Sequence, residues 1–229
     1  MDCDPRLILD GDPEVCPAAE DSALLLAAVE VEPGERFLEV GVGGGLVALH
    51  AALVTEVVAT DANPAAVRLA SRNAETHRLP VRAVRCDLMG ALRGLFDVVV
   101  FNPPYLEAAP ATGAERAWAG GEGVDRTAFR FLRDLPRVLV PTGRAYLLLG
   151  DDDRAARAFA KSRFRVRLVD SKRLFVEKLE VLELRLRGAR TGRRLRPTRC
   201  AFRDRRQFDK VGRSSTAPTP CPSRRTRRR

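Results

Sequence analysis

The sequence predicts an α/β fold: a doubly wound, mostly parallel sheet of seven strands, with helices on both faces and a C-terminal antiparallel hairpin. Three observations lead there. Strand-like apolar runs alternate with helix-like stretches along the chain. The run Val98-Val99-Val100-Phe101 lacks polar alternation, as expected of a strand buried on both faces. The last two strand-like segments, Arg163–Asp170 and Phe175–Arg187, lie too close together for a helical crossover, which leaves an antiparallel hairpin.

In chain order, the pattern predicts a helix over Asp21–Val29, a strand over Arg36–Val40 and a helix over Gly45–Leu53. A strand over Glu56–Thr60 follows, and then a helix over Asn63–Thr76, opened by Asn63 as N-cap with Pro64 at the first helical position. Strands are expected at Val81–Arg85 and Phe96–Phe101, a helix at Asp125–Leu135, a strand at Ala145–Leu149 and a helix at Asp151–Lys161 before the hairpin. From about Gly188 the chain mixes Arg with Pro, Ser, Thr and Gly and shows neither helical nor strand period. The expected organisation is one domain over residues 1–187 and a disordered Arg-rich tail over residues 188–229.

Charge separates these two parts. The chain carries a formal +10, yet the tail alone holds fourteen Arg and Lys210 against Asp204 and Asp209, leaving residues 1–187 at −3. The tail reads as a solvated extension, and if nucleic acid is contacted it is expected to be through the tail only. No apolar run reaches the roughly 18–20 residues of a membrane helix, and Asp2, Asp4 and Asp10 stand where a secretory signal carries lysines. Five cysteines without a C-x-x-C pair indicate neither a disulfide framework nor a zinc site. A reducing cytoplasm is the expected location, with no membrane partner.

The chemistry concentrates at the carboxyl ends of the predicted strands. Phe37-Leu38-Glu39-Val40-Gly41-Val42-Gly43-Gly44-Gly45 is a strand running into a glycine turn that opens a helix. A dinucleotide fingerprint would need glycine at position 46, which is Leu46, so the E-x-G-x-G-x-G pattern suits a nucleoside ligand without a pyrophosphate. Asp61, after the second strand, is placed to accept both hydroxyls of a ribose; as a helix N-terminal acid beside Asn63 it would have only a structural role. Asp87, in Arg85-Cys86-Asp87-Leu88, is either an acceptor for an adenine amino group or a solvated loop acid. His50 and His77 read as structural or solvent-exposed.

Directly after the fourth strand stands Asn102-Pro103-Pro104-Tyr105. Two prolines fix the backbone so that the Asn102 side-chain oxygen and the Pro103 carbonyl can take the two hydrogens of a planar –NH2 group, with Tyr105 against its face. An amide or aryl amine nitrogen is a poor nucleophile because its lone pair is delocalised. Holding its hydrogens aims that lone pair at a methyl donor.

With these elements in order, the sequence resembles the short-form HemK-type protein N(5)-glutamine methyltransferases, of the class I, S-adenosylmethionine-dependent superfamily. Cys16-Pro17-Ala18-Ala19-Glu20-Asp21-Ser22 resembles the family's P-A-E-D-S/T element, although Cys16 stands where Tyr is usual and Pro17 comes one position early. Trp118-Ala119-Gly120-Gly121 is similar to its W-x-G-G loop, and residues 172–182 to its last hairpin. The likeness spans residues 10–187.

The resemblance implies a Rossmann-like seven-stranded sheet and methylation of a glutamine side-chain amide, typically in the G-G-Q loop of a peptide chain release factor. It implies that Glu39, Gly41, Gly43, Gly45, Asp61, Asp87 and Asn102 hold S-adenosylmethionine, that Asn102, Pro103 and Tyr105 hold the substrate amide, and that no metal is bound. It further implies a small zinc-binding activator protein, expected to add a strand at the edge Val81–Arg85. Two other readings stay open: an adenine-amino methyltransferase acting on DNA or RNA, and a non-catalytic nucleic-acid-binding protein.

Because the tail lacks a core-forming pattern, truncation after Arg187 is expected to leave cooperative unfolding and methyl transfer to protein intact. Denaturant unfolding of the truncated chain checks this, and loss of cooperativity would move the domain boundary.

Overall fold

The computed structural model describes residues 1–103, 124–151, 153–174 and 177–188. Helix α1 (Glu20–Ala28) leads into β1 (Phe37–Val40), α2 (Leu46–Ala51), β2 (Val57–Asp61), α3 (Pro64–Thr76), β3 (Val81–Arg85) and β4 (Phe96–Phe101). Then come α4 (Val124–Asp134), a 3-10 turn (Leu135–Arg137), β5 (Leu139–Gly150), α5 (Arg154–Arg163), β6 (Phe164–Leu174) and β7 (Glu177–Leu186). Expected Tyr105 and Trp118, and the whole arginine-rich segment from residue 189, lie outside the described residues.

The strands form one seven-stranded sheet in the order β3-β2-β1-β4-β5-β7-β6. Neighbours from β3 to β5 pair in parallel, whereas β7 runs antiparallel to both β5 and β6. The chain moves outward from β1 to β3 and then returns to the other side of β1. A crevice therefore opens at the carboxyl ends of β1 and β4, where ligands sit in such sheets.

The period of two sorts side chains into two cores. Phe37, Val98, Val100, Tyr146 and Leu148 face α1 and α2, while Leu38, Val99, Phe101, Leu147 and Leu149 face α4 and α5. Helix α3 starts as its sequence dictates: Asn63 Oδ1 accepts from Ala65 N at 2.9 Å, and Pro64 occupies the first turn. His50 is buried and structural. It donates from Nδ1 to Leu46 O at 2.7 Å and accepts from Asp4 N at 2.9 Å, binding the N-terminal segment to α2.

Strand β5 is longer than the pattern Ala145–Leu149 suggests, because it begins at Leu139 and carries Pro141-Thr142-Gly143 within it. That tripeptide reads as a turn, yet here it forms an irregularity in the β4 pairing, between Phe96 opposite Leu139 and Val98 opposite Arg144. Gly143 is required: a Cβ there would stand 2.8 Å from Asp97 O. Arg144 anchors the same strand end by an ion pair to Glu35 at 2.7 Å, with both side chains nearly buried.

Glu39 is the polar exception in β1. It is 5% exposed, and its Oε2 accepts from Ala48 N at 2.7 Å, holding the first turn of α2 against the strand. Burial, reinforced by the charge of Asp61, pushes its carboxyl up to about 8, against the downward pull of the Ala48 bond. The folded chain thus holds a proton that the unfolded chain releases near 4.5. This contribution to stability is complete below that value and is lost as pH rises through about 8. Stability of the ligand-free protein is therefore expected to fall by a few kcal/mol between pH 5 and 8, at about 1.4 kcal/mol per unit. Urea denaturation of the wild type and Glu39→Gln at both pH values checks this, since the neutral side chain removes that part of the slope.

Candidate active site

The site begins where β1 ends. Gly41 N and Val42 N both donate to Thr60 O, at 2.8 and 2.9 Å, so the chain leaving β1 is drawn across the end of β2. Gly43 has φ +50° and Gly45 φ +92°, conformations that exact a steric cost from any residue with a Cβ. The reasons for glycine differ at the two positions. A Cβ at Gly45 would stand 2.5 Å from Leu49 Cδ1, so that position is closed by packing, whereas nothing lies within 4 Å of one at Gly43, where backbone faces open space.

Asp61 is held at the end of β2 by two backbone donors, Gly43 N to Oδ2 at 3.0 Å and Asn63 N to Oδ1 at 2.8 Å. Each carboxylate oxygen keeps a lone pair for a further hydrogen bond, and the bond from Gly43 joins the acid to the glycine turn. Farther along the edge, Asp87 pairs with Arg130 of α4 and borders a cleft of about 360 Å³ with Ala62, Arg85 and Cys86. Cys86 is buried, and its Sγ accepts from Ala91 N at 3.0 Å, which shapes the loop behind Asp87.

Across the crevice, Asn102 follows β4, and its carbonyl lies 3.8 Å from where a Gly41 Cβ would project. Asn102 Nδ2 donates to Asp21 Oδ2 at 3.2 Å. A carboxylate can only accept, so it selects the orientation of the amide and leaves Oδ1 pointing the other way. That Oδ1 is buried with no hydrogen-bond partner among the described residues, although buried acceptors are nearly always paired. Pro103 beside it is buried.

The structure thus brings Glu39, Gly41, Gly43, Gly45, Asp61 and Asn102 to one end of the sheet, with Asp87 farther along the same edge. Sequence reasoning missed the part of Asp21. It stands 81 positions from Asn102, on α1, and is held in turn by Ser22 N at 2.7 Å. Its only signal was its place in the Pro17–Ser22 element. Among the described residues, no group of three or more His, Cys, Asp or Glu could hold a metal, and no helix is long and apolar enough to cross a membrane.

These donors fit S-adenosylmethionine. The open space beside the Gly43 backbone suits the amino-acid portion, the fixed Asp61 carboxylate suits a ribose diol, and the cleft at Asp87 suits a purine.

Residues 19–176 match the family model described as the methyltransferase small domain. The chain is 36% identical over 152 residues to mouse methyltransferase HEMK2, covering 59% of this chain and 71% of that protein. It is 38% identical over 137 residues to the release factor glutamine methyltransferase of Deinococcus radiodurans, covering 55% of this chain and 48% of that one. Among solved structures, it is similar to the Mtq2-Trm112 complex of E. cuniculi, described as responsible for methylation of the eRF1 translation termination factor. That likeness has a TM-score of 0.56 and 25% identity, covering 76% of this chain and 99% of the other. A family match over more than half the chain, on the fold and crevice described above, establishes that the chain belongs to the methyltransferase small-domain family as a HemK-type, S-adenosylmethionine-dependent methyltransferase.

Proposed function

We propose that this enzyme methylates the side-chain amide nitrogen of a protein glutamine, in the G-G-Q loop of a peptide chain release factor. The observation that carries the reading is Asn102: its Oδ1 is buried without a partner among the described residues, while Asp21 holds its Nδ2. A primary amide donates two hydrogens in one plane, and an orphaned acceptor beside the crevice is what one of them requires. The Pro103 carbonyl is assigned the other hydrogen, and Tyr105 the face of the amide. The Deinococcus relative, named for glutamine methylation of release factors, supports this acceptor.

When bound, S-adenosylmethionine supplies an electrophilic methyl group on a sulfonium. Asp61 and the glycine turn hold its nucleoside and amino-acid portions, Asp87 takes the adenine amino group, and Glu39 fixes α2 beneath the turn. Asn102 and Pro103 turn the amide so that its nitrogen lone pair, rather than an N–H bond, faces the methyl group. The chain's contribution to rate is mainly this alignment, together with acceptors already in place before reaction.

A small zinc-binding activator protein completes the proposal. Strand β3 is the outermost strand of the parallel half and leaves one edge open to strand addition. The two-protein E. cuniculi assembly supports such a partner. The assigned location is the cytoplasm, where release factors act.

Asn102→Ala is expected to lower kcat on the order of 100- to 1,000-fold with little change in S-adenosylmethionine affinity, as for loss of one preorganised hydrogen-bonding group. Asp21→Asn should lower kcat in the same direction, because a neutral amide at position 21 no longer dictates which way Asn102 faces. Single-turnover kinetics, with mass spectrometry of a G-G-Q peptide, reads both effects. Methylation confined to adenine in RNA or DNA, with the peptide untouched, would overturn the glutamine assignment.

Asp61→Ala acts on the other partner. It removes a charge-assisted bond, and S-adenosylmethionine affinity should fall about tenfold to a hundredfold. Calorimetric titration checks this, and unchanged affinity would remove Asp61 from the site.

A further inference from the structure

A second cleft, of about 370 Å³, lies at the opposite end of the sheet, where β5 begins and β7 ends. Pro141, Thr142 and Gly143 form one wall, and Arg165, Arg167, Glu183 and Arg185 form the other. In the parallel register Phe101 stands opposite Leu147, so Gly143 is about five residues, or about 17 Å, below Asn102. This cleft is therefore separate from the methyl-transfer crevice.

Its lining is unusual for a sheet. Arg165 of β6 stands directly opposite Arg185 of β7, and like charges so placed destabilise a strand pair. The next row places Arg167 opposite Glu183, and that one carboxylate, 5% exposed, takes bonds from both Arg167 and Arg185. The lining residues themselves comprise three guanidinium groups and one carboxylate, an excess of positive charge.

The surroundings enlarge it. Residues 154–187 carry eleven Lys and Arg against four Asp and Glu, whereas residues 1–153 carry fourteen against twenty-four. The small net charge of the folded body thus conceals a strong asymmetry, with α5, β6 and β7 forming its basic end. Along the β6 edge Arg163, Arg165, Arg167, Lys172 and Arg173 are all exposed. Just past the end of β7, Arg187 donates to Lys161 O at 2.6 Å and to Phe164 O at 3.2 Å. The arginine-rich segment follows immediately in the sequence.

We propose that this cleft and the basic β6 edge form a second binding site, for the phosphate backbone of RNA. A row of cations along an extended strand, at about 7 Å for every second residue, suits a linear polyanion. Guanidinium forks engage phosphate oxygens in pairs. The described part of the β6 edge presents no exposed aromatic on which a base could stack, so recognition is of phosphates and tolerant of sequence. Nucleic acid is then met by the folded body as well as by the segment beyond it, and the acceptor is presented about 17 Å from an anchored strand.

The test uses the full-length chain and a fluorescein-labelled 20-mer of oligouridylate, titrated by fluorescence anisotropy from 50 to 300 mM salt. Each phosphate contact removed should reduce the salt slope by about 0.7. Arg165→Glu, and in lesser degree Arg165→Ala, should weaken binding about threefold to tenfold at 0.1 M salt and flatten that slope. Arg78→Glu, an equal change of net charge just past the end of α3, should do neither. Thermal unfolding of each variant, and methylation of the G-G-Q peptide at the wild-type rate, report that the fold is retained. Equal effects of Arg165→Glu and Arg78→Glu, or no effect of either, would overturn the proposal by leaving binding to overall charge or to the segment beyond residue 188. Displacement of the RNA by polyglutamate at lower charge concentration than by unlabelled RNA would overturn it in favour of an acidic protein ligand.

Discussion

Strand β1 is paired on both sides, to β2 and to β4, and buried on both faces. Its carboxyl end can therefore neither continue as sheet nor leave through the core, and it escapes only by turning tightly over its neighbour. Two consecutive N–H groups donating to Thr60 O make that turn, at φ values that glycine adopts without strain. Much of the crevice follows from this constraint. The parallel register brings Asp61 and Asn102 to the same level as the turn, and Glu39 can reach Ala48 because α2 must begin immediately above it.

The two halves of the crevice use polar groups differently. On the side proposed for the methyl donor, Asp61 is already held by backbone N–H groups, so its position costs little to maintain and its remaining lone pairs are fixed in direction. On the acceptor side, Asn102 is only half satisfied. Asp21 fixes its donor end and leaves its acceptor end buried and, among the described residues, unpaired, a cost of about 1–3 kcal/mol. Under the proposed function, a substrate that supplies the missing hydrogen recovers that cost, which favours an amide over an apolar group of the same size. This asymmetry is consistent with a site where one ligand is gripped and the other is aligned.

Electrostatics divides the molecule along another axis. The acidic end begins with the N-terminal segment, where Asp10 and Asp12 are bound to α3 through Asn73 and Arg72. The basic end consists of the last helix and hairpin, added outside β5 by antiparallel pairing. The antiparallel strands lie outside the parallel β1, β2 and β4 that carry the proposed methyl-transfer crevice. Their exposed positions are thus free to carry a charge pattern unrelated to that crevice.

By itself the sequence determined whatever local pattern encodes: strand and helix alternation, the cap of α3, the glycine turn, the acid after β2 and the Asn-Pro step after β4. Each of these is set by residues within one or two turns of chain, where φ preference, side-chain period and capping act. Only the tertiary structure decided which distant groups meet. That Asp21 orients Asn102 depends on α1 packing beside the end of β4. That β5 starts at Leu139 depends on Asp97 lying where Gly143 alone has room. That Arg165 faces Arg185 depends on hairpin register, since periodicity assigns a side chain to a face of the sheet but leaves its cross-strand neighbour to be fixed by pairing and packing of the whole.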